Sequence, residues 1–419
     1  MVDRRVVDVA VIGAGPAGLA AAVHAAEAGS RVVVVDQSSH LGGQVWRHRE
    51  PSTLPTPARR WLERFRASGA GYLPQTAVAA AESGALSLVA PAGVIELRAR
   101  AIVLATGARE LFLPFPGWTL PNVFGVGGLQ ALVKGGLDVR GKRVIIAGSG
   151  PLVFPVAATV AATGADLLAV CEQADRRRLF SFAASLWRSP SKLTAALAYR
   201  SAFRRTPLHT GTWVERAEGR DCVEQVTLAD GRRRWNLPCD LLATACGLIP
   251  NVEVGSAMGC SVAEGALVVD ARQATSVAGV FAAGECTGVA GEDAALIEGG
   301  IAGRAAAGTD TTAWSGHAAA GRAFARRMRT AFAPRPELSA RADATTVICR
   351  CEDVRLAELR PEWGARQAKL ATRAGMGACQ GRVCGAALQQ MFGWDAPEVR
   401  TPLVPVPTDV LGARGDPER

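Results

Sequence analysis

Val6-Val7-Asp8-Val9-Ala10-Val11-Ile12 runs directly into Gly13-Ala14-Gly15-Pro16-Ala17-Gly18. An apolar strand that meets a G-x-G-x-x-G turn and continues as a helix opens a dinucleotide-binding βαβ unit. The helical run from Leu19 to Ala28 follows, and Gly29 closes it. Arg31 to Val35 reads as a second strand, with Asp36 at its end, 23 residues after Gly13. Gly13 permits the tight turn, Gly15 lets backbone approach a pyrophosphate, and Gly18 lets the helix pack on the strand. The helix N-terminus holds the phosphate charge, and Asp36 is placed to bond a ribose 2′-hydroxyl. Gly13, Gly15, Pro16, Ala17, Gly18, Asp36 and Gln37 are therefore candidate cofactor-binding residues.

The same grammar recurs about 135 residues later, in Arg143-Val144-Ile145-Ile146-Ala147-Gly148-Ser149-Gly150-Pro151. Here the third glycine position holds Val153, whose branched side chain is expected to push the helix off the strand. Glu172, 24 residues after Gly148, favours a ribose 2′-hydroxyl and so NAD(H), whereas Arg176-Arg177-Arg178 would suit a phosphate. Gly148, Gly150 and Glu172 thus mark a possible second nucleotide site. NAD(H), another adenine nucleotide and a vestigial fold all remain open.

The whole chain has 419 residues, 49% of them hydrophobic and 20% charged, so it is a folded protein of two to three domains. No apolar run long enough for a membrane span occurs without Gly or a charge, and the start lacks a secretory pattern, so a cytoplasmic location is expected. The net charge of +9 comes almost wholly from arginines spread along the chain without aromatic interleaving, and nucleic acid is not an expected partner. Residues 175–205 are basic and amphipathic, which fits either a docking surface or an ordinary helical hairpin.

Six of ten cysteines are scattered, while Cys349, Cys351, Cys379 and Cys384 cluster. Such a cluster reads as metal or redox chemistry in a cytosolic chain. Four thiolates suit an iron–sulfur cluster or zinc, and the spacing alone does not choose. No Cys-x-x-Cys follows Gly43 or lies in the second βαβ unit, which excludes a dithiol relay. His24, His40 and His48 read as structural or exposed rather than as bases, and Cys286 as a small buried residue. Trp46 and Arg47 fit a place near a cofactor, core packing or surface charge equally well.

Several strings carry a resemblance. Gly42-Gly43-Gln44, Ala105-Thr106-Gly107-Ala108, Ala243-Thr244-Ala245-Cys246-Gly247-Leu248-Ile249-Pro250-Asn251 and Thr275 through Gly284-Glu285 resemble the FAD-dependent pyridine-nucleotide reductase superfamily over residues 1 to about 310. The resemblance implies FAD, with Gly42, Gly43, Gln44, Arg47, Thr106, Gly107, Ala108, Gly284 and Glu285 around it. Glu285 stands where that superfamily more often has Asp.

Ile348-Cys349-Arg350-Cys351-Glu352-Asp353-Val354 and Thr372 to Cys384 resemble the 2Fe-2S domain of the bacterioferritin-associated ferredoxin type. This implies a 2Fe-2S cluster on all four clustered cysteines, with Gly375, Gly377 and Gly381 close to its sulfurs and Arg350 and Arg382 offsetting its charge.

The combination, with Phe112-Leu113-Pro114-Phe115-Pro116-Gly117-Trp118, is similar to the α subunits of heteromeric amino-acid and opine dehydrogenases. That family includes opine oxidase A subunits, hydrogen cyanide synthase B subunits and D-hydroxyproline and L-proline dehydrogenase α subunits. It implies a hetero-oligomer in which a flavin β subunit oxidises the amine, a small γ subunit is a further partner, and this chain relays electrons through FAD and the cluster. Two other readings stand beside it: a stand-alone NADH-dependent reductase of a ferredoxin-like partner, and a zinc-stapled scaffold.

The expected fold is α/β, with two Rossmann-like domains of the pyridine-nucleotide reductase type and a small helical C-terminal 2Fe-2S domain. The expected division is 1–118 with 250–318 for FAD, 119–249 for the second Rossmann domain, 319–344 as linker, 345–393 for the cluster and 394–419 as an extended tail.

Overall fold

Val9 and Val11 face one apolar layer, and Ala10 and Ile12 face another, so the last four residues of the strand Asp3–Ile12 are buried on both sides. A strand of this kind belongs inside a parallel sheet covered on two faces. The computed structural model describes residues 2–408 apart from Arg49 and Pro397. The chain forms two compact units: residues up to 109 with 249–326 and those from 398, and residues 110–248 with 327–397.

In the first unit the sheet order is Gly71–Leu73, Val32–Val35, Asp3–Ile12, Gly93–Leu104, Ala85–Ala90, Ala77–Glu82. Val280–Ala282 adds alongside the last residues of Gly93–Leu104, Val280 opposite Ile102. The pairs that flank Asp3–Ile12 are parallel, and Ala77–Glu82, Ala85–Ala90 and Gly93–Leu104 form an antiparallel meander.

Helix Pro16–Glu27 lies on this sheet, and helix Glu292–Ala306 packs against it. The two helices meet backbone to backbone. A Cβ on Gly299 would sit 2.1 Å from the Ala17 carbonyl oxygen, and one on Gly303 2.1 Å from that of Ala21. The Ala/Gly-rich composition of residues 292–306 is therefore a packing requirement.

The second unit holds a five-stranded parallel sheet in the order Leu208–Thr210, Asp166–Glu172, Arg143–Gly148, Leu241–Ala245, Val123–Phe124. A meander of Trp213–Glu218, Gln225–Ala229 and Arg234–Pro238 accompanies it. Helices Arg176–Ser185 and Pro190–Ala202 form the basic hairpin, and neither contains a fully buried residue.

Three expectations about organisation change. Residues 319–344 are not an irregular linker: helix Ser315–Ala331 and helix Pro336–Ala340 take up most of them, as Ala- and Arg-rich sequence favours. The cysteine segment is not a separate body. Its strands Val347–Cys349 and Val354–Arg355 and helices Ala365–Thr372 and Cys384–Phe392 belong to the second unit. Of the expected tail, Leu403 is buried in the first unit and its N–H donates to Ala79 O at 2.8 Å, while residues 409–419 lie outside the described residues.

Gly303→Ala tests the helix contact. Alanine gains about 1 kcal/mol of helix propensity, but its methyl must displace backbone, an overpacking cost of about 1–3 kcal/mol. The variant is expected to melt at lower temperature than the parent, as read by calorimetry.

Candidate functional site

Gly13 takes φ +108°, and a Cβ there would lie 2.2 Å from Ala105 O. A Cβ on Gly18 would lie 1.8 Å from Gly13 O. Strand, turn and helix therefore close on each other through bare backbone. Gly15 differs: nothing lies within 4 Å of its Cβ position, and it caps helix Pro16–Glu27 without any side-chain hydrogen bond. The first N–H groups of that helix, at Ala17 and Gly18, have no intrahelical acceptor. This open, uncapped helix start leaves free the donors that a phosphate needs, and the residues present fit FAD.

Asp36 is half-buried, and its Oδ2 accepts Ala14 N–H at 2.6 Å while Oδ1 accepts Ser38 N–H at 2.7 Å. It thereby ties the glycine loop to the end of the second strand. Gly42 N–H donates to Ala14 O at 2.8 Å, and a Cβ on Gly43 would lie 2.8 Å from the Gly15 α-carbon. Gln37, Gln44 and Arg47 are exposed, and Arg47 donates to Gln44 Oε1 at 3.3 Å. Trp46 is 3% exposed in the apolar core, so packing explains it.

At the strand end after Leu104, Thr106 Oγ1 donates to Asn251 O at 2.6 Å, and Asn251 Nδ2 returns a bond to Thr106 O at 2.9 Å. Asn251 N–H also donates to Gly107 O at 2.9 Å, next to Ala108. Gly284 N–H donates to Glu298 Oε2 at 2.9 Å, which also accepts Thr287 Oγ1 at 3.1 Å. Glu298 is a buried carboxylate that fixes the Gly284-Glu285 turn. Sequence reading missed it, and its only signal is an acid beyond the first turn of an Ala/Gly-rich helix. Burial raises the pKa of both Glu298 and Glu285.

His24 lies edge-on to Trp61 and Trp314, and burial lowers its pKa to about 4. Cys286 is fully buried, and burial pushes its thiol up to about 11. Both are packing residues.

In the second unit Glu172 does for Gly150 what Asp36 does for Ala14. Its Oε2 accepts Gly150 N–H and its Oε1 accepts Ala174 N–H, both at 2.8 Å. Glu172 is 1% exposed, and burial outweighs these donors and raises its pKa to about 7. Val153 is buried at the helix start, 3.1 Å from where a Cβ on Gly148 would be. Helix Val153–Ala162 begins five residues after Gly148, against three from Gly13 to Pro16.

The four clustered cysteines line one cavity of about 310 Å³ with Arg350, Phe112, Trp118, Phe124 and Val383. Cys384 hydrogen-bonds Cys349, and Cys379 hydrogen-bonds Cys351. The bond from Cys384 favours the Cys349 thiolate and lowers its pKa to about 5, while Cys384 is held protonated. Gly375 N–H donates to Cys349 Sγ at 3.5 Å, and a Cβ on Gly377 would lie 2.2 Å from that of Cys351. Among the described residues no three His, Cys, Asp or Glu side chains already converge on one ion-sized point.

Trp118 donates Nε1–H to Val347 O at 2.6 Å and stacks at a tilt on Phe112, 5.4 Å away. The aromatic string after the Ala-Thr-Gly-Ala strand is thus one wall of the thiol cavity, a role its sequence did not disclose. Arg382 donates to Gln380 Oε1 at 3.3 Å.

Two variants follow. Gly15→Val introduces no backbone strain, since φ is −74°, and meets no neighbour. It is expected to leave the melting temperature of FAD-free protein unchanged and to weaken FAD binding at least about tenfold, by flavin fluorescence titration. Glu172 has a folded pKa above its ordinary 4.5, at about 7. Unfolded chain therefore loses this proton first, so stability falls as pH rises between those values and levels above them. Glu172→Gln is expected to flatten that part of the melting-temperature profile.

Residues 7–309 match the pyridine nucleotide-disulphide oxidoreductase family. The opine oxidase A subunit of Rhizobium meliloti is 32% identical, over 92% of this chain and 92% of its own. Hydrogen cyanide synthase subunit HcnB of Pseudomonas aeruginosa is 30% identical, over 95% and 96%. The crystal structure of L-proline dehydrogenase from P. horikoshii superposes with a TM-score of 0.70 at 22% identity, covering 98% of this chain and 80% of that one, a likeness of fold. No helix among the described residues is long and apolar enough to cross a membrane. With its glycine cradle and the length of these matches, the chain belongs to the pyridine nucleotide-disulphide oxidoreductase family of FAD-dependent oxidoreductases, beside the opine oxidase A and HcnB subunits.

Proposed function

We propose that this chain is the electron-transferring flavoprotein and iron–sulfur subunit of a heteromeric, FAD-dependent amino-acid or opine dehydrogenase. Its partners are a flavin β subunit that oxidises the amine and a small γ subunit. The observation that carries this reading is the cavity lined by all four clustered cysteines, in a chain that also has an open FAD-type glycine loop. The relatives, each named as one subunit of an oxidase or a synthase, support the heteromeric part. FAD bound in the cradle would supply two-electron chemistry and a 2Fe-2S cluster one-electron chemistry.

The protein's own part is to hold and to exclude. Gly15 and the N–H groups of Ala17 and Gly18 would receive the pyrophosphate, and Asp36, which fixes the loop, would meet the ribose. Thr106, Gly107 and Ala108, held by Asn251, and the Gly284-Glu285 turn, held by Glu298, would bear on the flavin end. Cys349, Cys351, Cys379 and Cys384 supply the thiolates, with Cys349 and Cys384 buried and Cys351 exposed. The Gly375 N–H aimed at Cys349 and the nearby Arg350 help to offset thiolate charge. Of the six other cysteines, Cys171, Cys239, Cys246, Cys260 and Cys286 are buried and Cys222 is half-buried, and none is in a disulfide.

Iron and acid-labile sulfide analysis of the anaerobically purified chain tests the cluster. Equal iron and sulfide are expected, and zinc without sulfide would sink the proposal. Cys379→Ser is expected to abolish the cluster's visible absorbance while FAD stays bound. Co-purification from the native source, followed by mass spectrometry and an amine screen, tests the partner.

A further inference from the structure

The glycine loop of the second unit is covered by its own chain. Ser149 Oγ donates to Phe332 O at 2.7 Å. Gln173 Nε2 donates to Ser149 Oγ at 2.9 Å and reaches the Phe332 and Ala333 carbonyls at 3.4 and 3.3 Å. Arg178 Nη1 donates to Ala333 O at 3.5 Å, and Gln173 Oε1 accepts Arg335 N–H at 3.2 Å. The Phe332 ring reaches within 3.9 Å of where a Cβ on Gly150 would be, and meets Phe182 edge-on at 5.0 Å. The Arg335 guanidinium lies over Trp213 at 5.2 Å.

A hydroxyl, a carboxamide and a guanidinium therefore converge on two carbonyl oxygens beside a glycine turn. This is the donor set a pyrophosphate would use, with carbonyl oxygens in place of phosphate oxygens. In the first unit the corresponding Gly15 has nothing within 4 Å of its Cβ position. One fold thus carries one open loop and one covered loop.

We propose that Phe332–Arg335 is a strap seated on the pyrophosphate position of the second nucleotide site, and that NAD(H) enters only when the strap lifts. A closed strap divides intrinsic affinity by the small fraction of open molecules. It also bears on the source of electrons in the function proposed above. Its test reads nucleotide binding and not electron transfer, so either can fail alone.

The test is a titration of the FAD-loaded full-length chain with NADH, by fluorescence, for the parent, Phe332→Gly and Arg335→Ala. Both substitutions lie on the strap and leave Ser149, Gln173 and Arg178 in place. Each is expected to tighten NADH binding at least about tenfold. Saturating NADH is expected to speed amide hydrogen exchange in the parent's residues 331–335. Equal affinity in all three proteins, including no binding in any, overturns the strap, as does NADH binding that leaves exchange there unchanged. Should Phe332→Gly fail to fold, Arg335→Ala and the exchange measurement on the parent decide.

Discussion

An acid at the end of a second strand takes a backbone N–H of the glycine loop in both Rossmann units, Asp36 from Ala14 and Glu172 from Gly150. That bond sets where the loop stands, and so which N–H groups and side chains around it face a ligand. Asp36, one carbon shorter, stays half-buried beside a helix that starts at once and keeps its N-terminus bare. Glu172 is sunk in the fold, and its helix begins later after the first glycine. Ser149 on that loop and Gln173 beside Glu172 hold the chain's own carbonyls. One interaction, repeated with a small change of length, therefore accompanies two opposite surfaces.

The strands and turns of both units were legible because they rest on local rules: apolar runs, glycines at fixed offsets and an acid near the second strand's end. The same holds for the four cysteines, since thiols in such a cluster have few other uses. What sequence did not disclose depends on distant contacts. Glu298 meets Gly284 across a turn and a helix, and Trp118 reaches Val347 from 229 positions away. The expected linker is mostly helical, as the Ala- and Arg-rich stretch before Pro334 favours. The strap was invisible for the same reason: Phe332 carries no motif, and only the fold seats it on Ser149.

The thiol cavity is built in a similar way. The cysteines lie on short, glycine-punctuated segments with a small apolar core of their own around Ile348, Leu388 and Trp394. Trp118, from the other end of the second unit's sequence, braces them. A site assembled from such segments takes its rigidity from packing against the unit around it.

The backbone contact between helices Pro16–Glu27 and Glu292–Ala306 also has a bearing on how the chain is made. The first unit's N-terminal segment ends at residue 109 and is rejoined only from 249. Strand Val280–Ala282 and the glycine face of the later helix both arrive in that second segment. Synthesis proceeds at about 5–20 residues per second, so the early helix emerges from the ribosome some tens of seconds before its partner. During that interval the nascent first segment lacks one of its layers, while residues of the second unit are already emerging behind it. For this chain the order of translation and the order of assembly are different.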